Sequence, residues 1–254
     1  MPDREQLEIP LPDGATLKAD YFAPAPSNDD SDGDARNRAG DRPCPGVVVL
    51  HESFGLNDDI RRIARRFADA GYAALAPDLY SHGHRIVCLS RVLTDMVAGA
   101  SGREIDDIHA AREALAARSE VDDARIAVAG FCQGGGFALL AAVRPGFSAA
   151  AVNYGNVPAE RSRLDGVCPV VAGYGARDRV VGRKMADRLE RHMSALGVTH
   201  DVKTYDNAGH SFFSKVDGWQ ALLARMPSGM AVGYDDAAAE DGWRRMLDFF
   251  GAHV

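Results

Sequence analysis

A chain of 254 residues, 46% hydrophobic and 26% charged, is long enough to bury a core without disulfides or metal. Its 29 Lys and Arg against 36 Asp and Glu leave a net charge of -7 with no basic cluster, which excludes a phosphate-binding surface and nucleic acid as a partner. No apolar run nears the roughly 20 residues of a membrane-spanning helix, and MPDREQLEIPLPDG has neither the basic nor the apolar part of a secretory signal, so the expectation is a cytoplasmic protein away from membranes.

In chain order, Leu7 to Ile9 and the run 16–22 flank Pro12-Asp13-Gly14, the signature of an antiparallel hairpin turning at Asp-Gly. Residues 24–45 are rich in Pro, Asp, Gly and Asn and poor in large apolar side chains, which predicts a flexible surface loop. The period then changes. GVVVL (46–50) suits a strand buried on both faces, and 58–70 repeats Ile60, Ile63, Ala64 and Phe67 at helical spacing with Gly71 as the stop. Further strands are predicted at 72–77, 125–129, 149–153, 169–173 and 201–205. Helices are predicted at 104–118, after Cys132 to about Val143, at 182–196 and at 235–250. This alternation predicts one α/β domain spanning 1–254, with a mostly parallel sheet, helices on both faces and the antiparallel hairpin at its N-terminus.

In such a sheet the reactive groups collect at the carboxyl ends of the strands. Those loops hold Glu52, Cys132, Asp178 and His210. Cys132 lies in G-F-C-Q-G, the thiol version of the nucleophile elbow, where glycines at 130 and 134 allow the tight turn. At a helix N-terminus the thiolate is favoured, and the Gln133 N–H is placed for a developing oxyanion. A lone Cys beside an apolar strand is otherwise a small buried hydrophobe, and the turn alone leaves both readings open. Asp178 in Y-G-A-R-D and His210 in N-A-G-H-S-F are each, singly, ordinary loop residues. Together they follow the order nucleophile, acid, histidine, each just beyond a strand, which is that of the α/β-hydrolase triad.

The four cysteines contain no C-x-x-C pair, and Cys44, Cys88 and Cys168 lack an elbow, so they are expected as packing or exposed thiols. His51, His82 and His84 lack nearby Cys or carboxylate ligands at metal-site spacing; neither metal nor cofactor is expected.

These residues resemble the dienelactone hydrolase family (carboxymethylenebutenolidases), α/β-hydrolases with a Cys-Asp-His triad. The resemblance runs from about Gly46 to the C-terminus through H-E-S-F-G-L-N-D (51–58), G-Y-A-A-L-A-P-D-L-Y (71–80), G-F-C-Q-G-G (130–135), Y-G-A-R-D (174–178) and A-G-H-S-F (208–212). It implies that Cys132, His210 and Asp178 open a lactone or cleave a small ester through a thioacyl-enzyme. It further implies that Glu52 contacts the nucleophile and helps to generate the thiolate, and that Ser53 supplies the second oxyanion N–H. Tyr80, Arg85, Tyr154, Phe54 and Phe212 are the implied substrate-binding residues; Tyr154 is otherwise read as a sheet-end aromatic. Where the family has an arginine shortly after the histidine, this chain has Ser214 and Lys215. Residues 215–232 look longer than the usual connection, and Trp219, Leu222, Leu223 and Met226 suggest a lid insertion or a surface-packed stretch. The partner implied is a small lactone or ester, with the protein a monomer or small homo-oligomer. Two other readings stand beside this one: a general small-molecule esterase or thioesterase, and a catalytically silent thiol-based sensor or binding protein.

Overall fold

The computed structural model describes residues 4–25, 43–81, 102–215 and 231–254. Arg85, His82, His84, Cys88, most of the predicted 24–45 loop and most of the 215–232 insertion lie outside them. Of that loop, Cys44 and Pro45 instead open a strand.

Strands β1 (Arg4–Pro10) and β2 (Thr16–Phe22) form the expected hairpin, paired from Arg4 with Phe22 to Pro10 with Thr16. The turn closes through Gly14 N–H on Leu11 C=O at 3.0 Å, with the Asp13 carboxylate accepting from the Ala15 amide. Strand β3 (Cys44–Leu50) is the β-branched run, and Val47 to Leu50 have no accessible surface. Helix α1 (Asp58–Asp69) follows it. Asn57 caps that helix by accepting from the Ile60 amide at 3.0 Å, and Asp58 and Asp59 complement the dipole in its first turn. Its apolar stripe of Ile60, Ile63, Ala64 and Phe67 is buried.

Strand β4 (Ala73–Asp78) leads through undescribed residues to helix α2 (Gly102–Ala116), then to β5 (Val121–Phe131), helix α3 (Gln133–Ala141) and β6 (Ala149–Asn153). Strand β7 (Val170–Gly175), helix α4 (Gly182–Leu196), β8 (His200–Tyr205) and helix α5 (Asp236–His253) complete the order. The eight strands form one sheet in the order β1-β2-β4-β3-β5-β6-β7-β8. Pairing is antiparallel from β1 through β2 to β4 and parallel from there to β8.

Two features tie the outer elements to this core. Asp20 of β2 is buried, and its carboxylate is met by the Arg61 guanidinium of α1 at 2.6 Å, so a charge that would be costly alone is paired. On α2, Arg112 is 7% exposed and donates to the Gly146 and Asp123 carbonyls, binding the helix to the start of β5 and to the turn before β6. Among the described residues no helix is long and apolar enough to cross a membrane.

Candidate active site

The carboxyl ends of β3, β5, β7 and β8 bring together the four residues singled out by their strand-end position. Cys132 follows β5 directly, with φ 55° and ψ -117°, a conformation few non-glycine residues adopt. Glycine is required around it because backbone meets backbone. A Cβ on Gly130 would stand 1.9 Å from the Gly134 carbonyl oxygen, and one on Gly134 would stand 2.6 Å from the carbonyl oxygens of Leu50 and His51. The elbow is therefore pressed onto the end of β3.

At this turn the Cys132 Sγ lies 3.0 Å from His210 Nε2, and His210 Nδ1 lies 2.6 Å from Asp178 Oδ2. Asp178 is oriented by its other oxygen, which accepts from the Val180 and Val181 amides at 2.9 and 3.0 Å. Burial works to raise its carboxyl, but the hydrogen bond from His210 and those two amides outweigh burial and hold it below its ordinary value. The His210 imidazole is buried, which disfavours its charge, yet the sulfur and the carboxylate on its two nitrogens push it up to about 10.

Glu52 reaches the site from β3 and is 3% exposed. Its Oε1 accepts from the Ser214 hydroxyl at 2.6 Å, and Ser214 Oγ lies 3.4 Å from the Tyr154 hydroxyl. Burial raises the Glu52 carboxyl, against the opposing pull of Ser214 and of the charge on His210. In this structure Sγ is turned to His210, and the Glu52 carboxyl is engaged by Ser214. In the sequence, Ser214 stands out only as lying where the family has an arginine. Lys215, its neighbour, sets its ammonium 4.5 Å over the Tyr234 ring.

Gln133 begins α3, so its amide is one of the N–H groups without an acceptor inside the helix. Its side-chain oxygen accepts from the Tyr80 hydroxyl at 3.0 Å and the Ser53 hydroxyl at 3.3 Å, which fastens the loops after β3 and β4 to the elbow. Tyr154 has φ 42° and is 1% exposed, and its ring packs 5.1 Å from the His210 ring. Phe212 has no accessible surface. It packs between Tyr154 and Tyr205, each ring 5.1 Å away, and supports the histidine loop as a core residue instead of forming a wall open to substrate. Phe54 is half-buried in the turn after Glu52. Ser211, in the loop after β8, has φ 56° and is a third strained residue of the site.

Cys44 and Cys168 are half-buried free thiols packed against the core; burial pushes Cys44 up and Cys168 up to about 12. They are packing residues.

A largely parallel sheet with a strained elbow after β5, an acid after β7 and a histidine after β8 defines an α/β-hydrolase. The dienelactone hydrolase family profile matches residues 35–254, and the chain belongs to that family, whose members hydrolyse lactones and esters. It is 30% identical over 223 residues to the carboxymethylenebutenolidase of Rhodococcus opacus, covering 82% of this chain and 81% of that one. A dienelactone hydrolase-like promiscuous phosphotriesterase from metagenomic libraries superimposes with a TM-score of 0.78 at 25% identity, over 99% of this chain and 98% of that one. The dienelactone hydrolase of Anabaena variabilis shares the fold, with a TM-score of 0.70 at 17% identity over 100% and 99% of the two chains.

Proposed function

We infer that the protein opens a lactone or cleaves a small carboxylic ester by thioacyl transfer through Cys132. The observation that supports this most is the alignment of Cys132 Sγ, His210 and Asp178 at 3.0 and 2.6 Å on a strained elbow. His210 Nε2 takes the thiol proton, and sulfur attacks the carbonyl carbon while the C=O electron pair moves to oxygen. The Gln133 and Ser53 amides hold that oxyanion. When the carbonyl re-forms, the C–O bond to the leaving group breaks, and the alkoxide takes its proton from His210; from a lactone it stays tethered as a hydroxyacyl chain. Water then gives a proton to His210 and attacks the thioester, releasing a carboxylic acid and returning the proton to sulfur. Asp178 keeps Nδ1–H in place throughout.

The test is trapping: wild-type protein mixed with a slowly deacylated ester gains the acyl mass on Cys132, and Cys132→Ala neither gains it nor turns over. Full hydrolysis by Cys132→Ala rejects the nucleophile. A wild type inert to every lactone and ester would leave Cys132 as a sensor thiol.

A substrate panel of dienelactone, neutral lactones, simple aryl esters, thioesters and a neutral phosphotriester separates the readings by kcat/KM.

A further inference from the structure

His51 is 2% exposed and has no part in the steps above. Its ring nevertheless has both nitrogens engaged by backbone. Nδ1 lies 2.7 Å from the Glu52 carbonyl oxygen, an acceptor, so this nitrogen bears the proton. Nε2 lies 3.1 Å from the Leu79 amide, a donor, so this nitrogen offers its lone pair. Only the neutral Nδ1–H tautomer satisfies both. Among the described residues Asp78 Oδ1 also faces Nε2, from 3.8 Å, and accepts from the Tyr80 amide at 3.1 Å. The Tyr80 ring stands 4.9 Å from the imidazole.

The carbonyl that His51 holds belongs to the same peptide unit as the Ser53 N–H. A trans peptide is planar, with C=O and N–H pointing in opposite directions, so fixing one aims the other. The Glu52 carbonyl accepts from the Gly55 amide at 3.0 Å as well as from His51, so two donors converge on it. The elbow already touches the Leu50 and His51 carbonyls at the Gly134 position, which sets how near the two oxyanion donors come. What that contact leaves adjustable is the rotation of the 52–53 peptide about its flanking bonds.

We propose that His51 is a positioning residue for the oxyanion hole, clamping the 52–53 peptide so that the Ser53 N–H points at the substrate oxygen. Its hydrogen bond to the carbonyl also polarises the amide and strengthens the N–H as a donor. The proposal rests on the thioacyl reading above, because it is the tetrahedral oxyanion that the Ser53 amide meets.

A pair of substitutions separates the two halves of the clamp. In His51→Asn the side-chain amide nitrogen takes the place of Nδ1 and still donates to the Glu52 carbonyl, while the Leu79 amide loses its acceptor. In His51→Gln the side-chain carbonyl reaches the place of Nε2 and keeps the Leu79 bond, while the Glu52 carbonyl loses its donor. The expected result is a kcat lowered about 10–100-fold in His51→Gln with little change in KM, and restored to within about 5-fold of wild type in His51→Asn, as for a misaimed and a re-aimed oxyanion donor. Alkylation of Cys132 by iodoacetamide forms no oxyanion, so its rate is expected to be that of wild type in both variants. Equal loss of kcat in the two variants, or a His51→Gln variant with wild-type kcat, overturns the clamp while leaving wild-type ester hydrolysis in place. A wild type without ester hydrolysis overturns both it and the reading beneath it. Should both variants fail to fold, nitrogen-15 NMR of the wild-type histidines decides: His51 as a neutral Nδ1–H tautomer is expected, and an Nε2–H tautomer or an imidazolium at neutral pH rejects the proposal.

Discussion

Ser214 donates its hydroxyl proton to Glu52 Oε1 across 2.6 Å, with both side chains buried. A carboxyl removed from water resists ionisation, and burial, the leading cause, outweighs the opposing pull of the Ser214 hydroxyl and of the charge on His210. In the unfolded chain Glu52 loses its proton at the ordinary carboxylate pH, whereas in the folded chain it holds the proton to higher pH. The folded state binds the extra proton between those two values, so stability falls as pH rises through that window. Glu52→Gln keeps the shape and removes the titration. Its thermal midpoint is expected to exceed that of wild type by a margin that grows with pH above the ordinary carboxylate range, with turnover reduced. A margin that does not change with pH in thermal melts would contradict the assignment.

Removing the donor tests the other side of the bond. Ser214→Ala leaves a buried carboxyl oxygen short of a partner, at a cost of about 1–3 kcal/mol. That corresponds to a fall in the thermal midpoint of about 2–4 °C per kcal/mol for a chain of this size. Ser214 favours the ionised carboxylate, so its loss moves any Glu52-linked limb of the kcat/KM profile to higher pH. A limb that stays in place would mean that Glu52 does not titrate in catalysis.

The His210 imidazole, pushed up to about 10 by the groups on its two nitrogens against the effect of burial, defines the alkaline behaviour. Its folded value lies above the unfolded 6.5, so the pairing contributes fully to stability below 6.5 and is lost as pH rises through about 10. Catalysis follows the same proton. Alkyl esters, whose alkoxide must be protonated by Nε2–H, are expected to lose kcat above about 10, and activated aryl esters to lose less. Asp178→Asn removes the carboxylate that holds Nδ1–H; kcat is expected to fall by about 10²–10⁴-fold, with the alkaline limb displaced to lower pH. An unmoved limb in pH-rate profiles would detach Asp178 from the histidine.

How much of this was legible in the sequence depended on how local the cause was. GVVVL at 46–50 and the Asp-Gly turn after β1 dictate their own structure, and both appear as read. Strand β5 begins at Val121, earlier than its apolar run, because Val121 pairs with Cys44 across a register shift before the regular ladder resumes at Ile126. V-D-D-A-R has no strand pattern, and only its neighbour makes it one. The triad was readable because chain order and strand ends constrain it jointly. The contacts of Ser214 and His51 were not: a serine past a histidine has no periodic signature, and the H-E-S-F-G motif does not say that His51 meets the Glu52 carbonyl and the Leu79 amide across the fold. Phe212 misled for the converse reason, because proximity to His210 in sequence gives no indication that its ring turns into the core.

Gly134 offers the sharpest test of the elbow. A Cβ there would meet the Leu50 and His51 carbonyl oxygens at 2.6 Å, and backbone atoms cannot swing aside as a side-chain end can. Gly134→Ala must therefore push α3 away from β3, costing about 1–3 kcal/mol as an overpacked contact. The same retreat separates the Gln133 amide from the Ser53 amide and moves Sγ relative to Nε2, so kcat is expected to fall by about 10²-fold, as for a displacement near 1 Å. Gly197, the cap of α4, is the control: its φ of 66° strains an alanine, but nothing lies within 4 Å of an added Cβ. Gly197→Ala is expected to lose about 1 kcal/mol of stability and retain wild-type kcat. Equal kcat losses in the two variants would show that loss of stability, and not the spacing of elbow and strand end, accounts for the effect.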